Sequence, residues 1–368
     1  MRKRIAVLGA NEPLLQFYRK VDRSRFEVHG IAWADGSVCR DYCDVFHPLD
    51  LRDRAGVLSL CESLGIEGAS TFSLESAVPL QVFLAEELGL VHPGSSVKAW
   101  VGNKAMLRDM LRREDVGYNP ASQSASLFSA LDLAEMQFPV VVKPMDGGGS
   151  RGVVLAKGES ELPDAFAYAQ SHSKCGEVVV EEFLLGEEFS VEYISYGGRH
   201  YFLALTRKRT SGAPHFVELH HTQPSGVDDA CQLAVRAVVE RALDVLGIEN
   251  GVSHTEIIIG SDGRVSVVEV GPRMGGDYIT SHLTELSTGV DLVNLSLSLA
   301  CGDFAPPVVE QQPGGGVLFY TPDTRQEFEA MLHGANVIES ACASLAGTCE
   351  NNMERSGYLV YRNVLGNG

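Results

Sequence analysis

The stretch His254-Thr-Glu-Ile-Ile-Ile-Gly-Ser-Asp-Gly-Arg-Val-Ser-Val-Val-Glu269 decides how this chain is read. Two apolar, β-branched runs flank Asp262-Gly263, a dipeptide that tolerates the positive φ angles of a tight hairpin turn. With a two-residue loop there, Ser261 faces Arg264, and equal steps outward set Glu256 opposite Glu269. Opposed like charges destabilise a sheet, so this register calls for something positive between them. Carboxylate oxygens suit a hard cation, and magnesium commonly arrives with substrate phosphates. On this motif alone the alternative is an exposed hairpin carrying two solvated acids.

A second stretch, Phe138-Pro-Val-Val-Val-Lys143-Pro-Met-Asp-Gly147-Gly-Gly-Ser-Arg-Gly152-Val-Val-Leu-Ala, sets a glycine-rich loop between two apolar strands. Gly148 and Gly149 leave backbone N–H groups free to close on phosphate oxygens, and Lys143 adds a positive charge at the end of the first strand. A Walker loop is excluded, because it needs G-x-x-x-x-G-K-[ST] running into a helix. Gly148-Gly-Ser-Arg-Gly152 matches a hydrolase nucleophile elbow in letters only. That elbow needs a following helix, whereas Val153-Val-Leu-Ala is strand-like, leaving Ser150 as a phosphate ligand or a plain turn residue.

At 368 residues the chain exceeds one ordinary domain, and two or three subdomains are expected. A formal net charge of −18 argues against a nucleic-acid partner, since phosphate backbones are bound by clustered Lys and Arg. No apolar run approaches the roughly 20 residues that span a bilayer, so no membrane partner is expected. Met1-Arg-Lys-Arg-Ile-Ala-Val-Leu-Gly resembles a charged leader, but its apolar stretch is too short for one. Eight cysteines without a C-x-x-C pair read as reduced thiols, and the location expected is cytoplasmic. Strand-like Ile5–Leu8, the helical pattern of Leu14 to Lys20, and strand-like Glu27–Trp33 predict a Rossmann-like, parallel α/β opening. It closes near residue 98, after Pro93-Gly94-Ser95-Ser96. Ala99 to Arg113 reads as one lysine-bearing helix, and the tail from Gly316 as a short mixed segment.

Together the hairpin and the glycine loop resemble the ATP-grasp superfamily, in which such a loop covers ATP and two strand carboxylates hold magnesium. Further matches follow in order. Asn103-Lys104-Ala-Met-Leu-Arg resembles the family's lysine-bearing helix start. Val178-Val-Val-Glu181-Glu182-Phe183-Leu184 is similar to the hinge that receives adenine through backbone groups. Gly186-Glu-Glu188-Phe-Ser-Val-Glu192 resembles the strand whose acid holds the ribose hydroxyls, a role that falls to Glu188, and Glu269-Val-Gly-Pro-Arg273-Met-Gly-Gly-Asp277 resembles the metal and transition-state segment. The resemblance implies an α/β (α+β ATP-grasp) fold with residues 1–98 as a Rossmann-like domain. Residues 99–184 would then be a helical linker and lid subdomain, and 185–368 a large metal-bearing subdomain.

It also implies the site. Lys104, Lys143, Gly148, Gly149, Ser150, Glu181, Phe183, Leu184 and Glu188 would bind ATP, and Glu256 and Glu269 would hold Mg2+, with Mn2+ as a substitute. Arg273 would stabilise the transition state, and Gly275 and Gly276 would approach the substrate. Phe216-Val-Glu218-Leu-His-His221-Thr-Gln-Pro224 resembles bacterial L-amino-acid ligases, whose histidine before a proline lies near the substrate; His221 takes that place here. His220 should point away from it, and His254 is expected to be a satisfied core histidine. One departure is Gly271, where many family members carry an asparagine that joins the metal shell. The activity implied is ADP-forming ligation of a small carboxylate to an amine through an acyl phosphate, in a protein whose homodimerisation the sequence leaves open. The alternatives are an ATP-grasp enzyme of purine or carboxylation metabolism, and a nucleotide-binding regulator without turnover.

Overall fold

Alternation along the first strand, Lys3–Leu8, sends Ile5 and Val7 into one apolar cluster and Ala6 and Leu8 into another, so this strand is buried on both faces. In the computed structural model, which describes residues 1–134, 136–345 and 347–363, it lies inside a four-stranded parallel sheet. The order there is Val45–Pro48, Phe26–Ala32, Lys3–Leu8, Gly68–Ser70. The expected parallel α/β opening is therefore present.

A second sheet, Ser122–Ala125, Val178–Glu182, Val140–Pro144 and Val154–Ala156, carries the glycine loop between its last two strands. The helix Leu162–Ser171 backs it through Ala165, Phe166 and Ala169. Val154–Ala156 is a strand, so the nucleophile-elbow reading of Ser150 fails on backbone geometry.

The third sheet has eight strands and dominates the molecule. Its order is Val265–Gly271, Gly251–Ile259, Glu187–Tyr196, Arg199–Thr210, Glu218–Gln223, Gly315–Tyr320, Gly357–Arg362, Val337–Cys342, with every pair antiparallel. Phe189, Val191, Tyr193, Leu205 and Ile257 point to one face and pack on Val235, Val239 and Leu243 of the helix Asp229–Leu246. Asp228 caps that helix by accepting from the Cys231 N–H at 2.7 Å.

Two local expectations need correcting. Glu256 does pair with Glu269, but not through a two-residue turn. The loop runs from Gly260 to Arg264, closed by Gly260 N–H to the Arg264 carbonyl (2.9 Å), so Ser261 and Arg264 do not face each other. Asp262 causes this by accepting from both the N–H and the Nε of Arg264, and a bulge next to Glu256 restores the register. The helix expected from Ala99 to Arg113 is two, Val97–Trp100 and Lys104–Arg113. Gly102 at φ +74° breaks it, and Asn103 restarts it by accepting from the Met106 N–H at 2.9 Å, which sets Lys104 at the head of the new helix. The short mixed segment from Gly316 onward contributes to three strands that extend the large sheet.

Glu339 fastens that tail to the rest. Its carboxylate accepts from Tyr358 Oη at 2.5 Å and lies 3.5 Å from His282 Nε2 and 3.2 Å from Arg19 of the N-terminal unit. Hydrogen bonding to His282 is the main cause that lowers its pKa from 4.5 to about 2; burial opposes this and Tyr358 assists. A depressed carboxylate stabilises the fold above its unfolded pKa and loses that contribution as the pH falls through the folded one. Glu339→Gln should therefore lower the urea midpoint at pH 7, by an amount that shrinks as the pH falls from 4.5 towards 2. A pH-independent difference would contradict this assignment.

Candidate active site

The face of the large sheet opposite the helix Asp229–Leu246 is polar. Period-two alternation places Glu188, Ser190 and Glu192 on it together, beside Thr206 and Lys208 on one neighbouring strand and His254 and Glu256 on the other. The register aligns Glu188 with Lys208 and His221, and Ser190 with Glu256 and Thr206. A bulge at Arg209/Thr210 brings Glu218 onto the same side as His221.

Lys208 is the centre of this face. Its side chain is 1% exposed, and its Nζ lies 2.7 Å from Glu188, 2.6 Å from Glu218 and 2.8 Å from Glu256. Burial opposes its charge, but the three carboxylates outweigh burial and raise its pKa well above the ordinary lysine range. The positive charge expected beside Glu256 is thus supplied in part by the protein. Glu256 is held well below the usual carboxylate range by Lys208 and His254 against its burial. Glu269 goes the other way, raised first by burial and then by Glu75 and Glu256, with Lys104 only partly compensating.

Lys104 joins this pair to the glycine loop: its Nζ donates to the Gly147 carbonyl at 2.6 Å and lies 3.7 Å from Glu269. Arg273 folds back over Gly271. A Cβ at Gly271 would sit 2.9 Å from the guanidinium carbon, so a side chain there would require the arginine to move. Arg273 donates to the Met274 carbonyl at 3.0 Å and to Glu75 of the N-terminal unit at 3.2 Å, while its Nε is buried without a partner.

In the four-stranded sheet that carries the glycine loop, Lys143 hydrogen-bonds to Glu181, whose other oxygen accepts from Arg108 Nε at 2.9 Å. Burial opposes the Glu181 charge, yet the two cations hold this carboxylate far below its usual range. The side chain of Glu181 thus clamps this sheet to the helix Lys104–Arg113. The Phe183 N–H donates to the Pro139 carbonyl at 3.0 Å, and its ring lies 5.8 Å from that of Phe216, with Leu184 half-buried beside it. A Cβ at Gly148 or Gly149 would meet nothing within 4 Å, so the loop tip borders open space. Ser150, at φ +59°, donates to the Phe216 carbonyl at 3.3 Å.

His221 is fully buried, 3.2 Å from Glu218 and 4.0 Å from Asp277, with its Nδ1 unpartnered. Burial works against its proton, but Asp277 and Glu218 prevail and raise its pKa. His220 points away and meets Tyr361 Oη at 2.9 Å, as the alternation requires. His254 is buried and hydrogen-bonded, as a satisfied core histidine should be. It contacts Glu192 at 2.5 Å and lies 3.7 Å from Glu256; burial opposes its charge, yet Glu192 and Glu256 push its pKa up to about 9. Gly275 is a glycine because this pair lies under it: a Cβ would sit 2.5 Å from His254 and 3.1 Å from Glu192. Gly276 has open space around it.

Sequence reasoning missed Lys208, Glu75, Glu192 and Arg355 as site residues. Lys208 left one trace, a lysine on the inward face of a strand between two outward arginines, Arg207 and Arg209. Arg355 left none, because it enters from the tail.

The family described as "ATP-grasp domain" matches residues 136–281. The uncharacterized protein y4rH of Sinorhizobium fredii is 32% identical over 208 residues, covering 55% of this chain and 42% of that one. A D-alanine–D-alanine ligase of Pseudomonas entomophila is 27% identical over 238 residues, covering 60% and 71%. Among solved structures, an L-amino acid ligase from Bacillus licheniformis superposes with a TM-score of 0.82 at 22% identity, covering 98% of this chain and 93% of that one. Residues 136–281 are thus similar to the ATP-grasp domain, and the similar Pseudomonas and Bacillus proteins are both named as ligases. The chain spans less than half of y4rH. Among the described residues, no helix is long and apolar enough to cross a membrane.

The residues present fit magnesium and a nucleotide. Glu256 and Glu269 offer facing carboxylates, Glu269 is incompletely compensated, and Ser190 Oγ and Arg273 Nε are buried polar atoms without partners. Removing one partner of a buried ion cluster strands the others. Lys208→Met should therefore cost about 3 kcal/mol of unfolding free energy at pH 7. A urea denaturation curve displaced by less than about 0.5 kcal/mol would show that water already neutralises the three glutamates.

Proposed function

We propose that this chain is an ADP-forming carboxylate–amine ligase whose carboxylate is an amino acid. The observation that carries the reading is the pairing of two acids, Glu256 and Glu269, with Lys104 and Arg273 from separate elements beside Glu269, next to the cluster of Glu218, His221 and Asp277. A bound Mg-ATP supplies the phosphoryl group that turns a carboxylate into an acyl phosphate, and ADP departs. Attack of an amine on the acyl carbon then expels phosphate and releases the amine proton.

Each protein group has a task set by charge. Glu256 and Glu269 would hold the metal. Lys104 and Lys143 would neutralise phosphate oxygens under the loop Gly147–Gly152, with Ser150 and the N–H groups of Gly148 and Gly149 closing on them. Glu188 would take the ribose hydroxyls, and the segment from Glu181 to Leu184 would border adenine. Arg273 lies between the acid pair and the N-terminal unit. Its fork can span phosphoryl and carboxylate oxygens as their charges approach. Glu218 and Asp277 suit the ammonium of an amino acid, with His221 holding Glu218 in place and Gly275 and Gly276 leaving room for the substrate backbone.

The best support for a regulator without turnover is Gly271. The space it leaves is filled by the Arg273 guanidinium, which a nucleotide binder does not need.

Phosphate release from Mg-ATP should depend on a particular amino acid and give a hydroxamate when hydroxylamine is added. Release that ignores every amino acid would refute the reading. Arg273→Gln should lower kcat by about 100-fold or more, with KM for ATP changed by less than about threefold. An unchanged kcat would remove Arg273 from the chemistry.

A further inference from the structure

The mechanism above leaves unused the turn Asn352–Glu354 and the arginine that follows it, which lie near the end of the chain yet reach the middle of the site. Asn352, 8% exposed, accepts from the Glu218 N–H at 2.9 Å through its side chain, and its own N–H donates to the Gly149 carbonyl at 3.4 Å. Arg355 donates to both oxygens of Asp277, at 2.9 and 2.7 Å, and its Nη1 lies 3.9 Å from Glu218. Its Nε donates to the Asn352 carbonyl at 2.8 Å, and its guanidinium lies 3.7 Å from the centre of the Phe319 ring. One short turn thus touches the tip of the glycine loop, the strand of Glu218 and the segment after the second metal glutamate.

Asp277 and Tyr278 need such support. Their φ angles are +50° and +66°, a region costly for residues with side chains unless neighbours fix it. Arg355 fixes the first through a bidentate pair, and Tyr358 the second by ring stacking at 4.3 Å. A brace alone would not need a buried arginine between two acids of the pocket. An arginine there sets where both carboxylates point and offsets part of their charge.

We infer that the turn Asn352–Glu354 with Arg355 is part of the active site. Arg355 is a positioning residue that aims Asp277 and Glu218 at the amino-acid substrate, and Asn352 ties the tip of the glycine loop to the same wall. The first half rests on the ligase reading; the tie does not.

The test uses the full chain with Arg355→Gln, Arg355→Lys, Asp277→Asn, the Arg355→Gln/Asp277→Asn double variant and Asn352→Ala. Arg355→Gln should raise KM for the amino acid about tenfold, the scale of a lost charged hydrogen bond, with KM for ATP changed by less than about twofold. Arg355→Lys should recover part of this, and Asp277→Asn should add little in the Arg355→Gln background, because the two act as one unit. Equal effects on both substrates, or full additivity, would overturn the positioning role. If Arg355→Gln does not fold, Arg355→Lys with and without Asp277→Asn decides the same question. The tie is read separately, without turnover, as trypsin cleavage after the exposed Arg151, followed by mass spectrometry. Cleavage should be several-fold faster in Asn352→Ala, and unchanged cleavage would overturn the tie. Amino-acid-independent phosphate release by the unaltered chain would instead refute the ligase reading, and the positioning role with it, leaving the tie to stand on the protease result.

Discussion

One buried ammonium organises this molecule. Lys208 reaches up from the middle of the large sheet and meets Glu188, Glu218 and Glu256, each within 2.8 Å. Three carboxylates on one sheet face would repel each other and draw in water, and Lys208 is the cation they share, with His254 also beside Glu256 and Arg355 beside Glu218. The three acids belong to the strands on which the proposed ribose, metal and amino-acid contacts lie, so Lys208 sets their spacing before any ligand arrives.

The remaining charges extend this pattern outward. Glu269 is opposed to Glu256 and lacks a cation of its own closer than Lys104 at 3.7 Å, which also holds the Gly147 carbonyl. On the far side, Arg355 plays for Asp277 the part that Lys208 plays for Glu218. Between them, His254 sits on Glu192 and steadies Glu256 from behind, which is why position 275 has no room for a side chain. Preorganised charge of this kind acts where charge develops and needs little reorganisation during reaction.

Much of this is legible in the sequence. Hydrophobic alternation locates both strands of the hairpin that carries Glu256 and Glu269, and the Asp-Gly turn yields the facing glutamates, although the loop is longer than two residues and a bulge corrects it. The glycine loop and Lys143 can be read because strand residues and glycines differ so sharply in composition. What escapes depends on contacts between distant segments. Lys208 looks like one of three basic residues in a row until its partners on other strands are known. Arg355 pairs with Asp277 across 78 positions, with no local pattern to announce it. His254 reads as a satisfied core histidine and is one, but its partner Glu192 lies on a neighbouring strand and is not legible locally. Gly271 looks like a lost metal ligand, and only the folded Arg273 side chain shows what occupies the space.

Everything proposed for the site depends on the facing glutamates holding a divalent metal for the nucleotide. Calorimetric titration of the protein with ATP, in magnesium and then in excess chelator, isolates that step from the later chemistry. Binding should depend on magnesium and weaken by about tenfold or more in Glu269→Gln, the loss of a charged contact. Equal affinity with and without magnesium, unaffected by Glu269→Gln, would contradict the metal assignment.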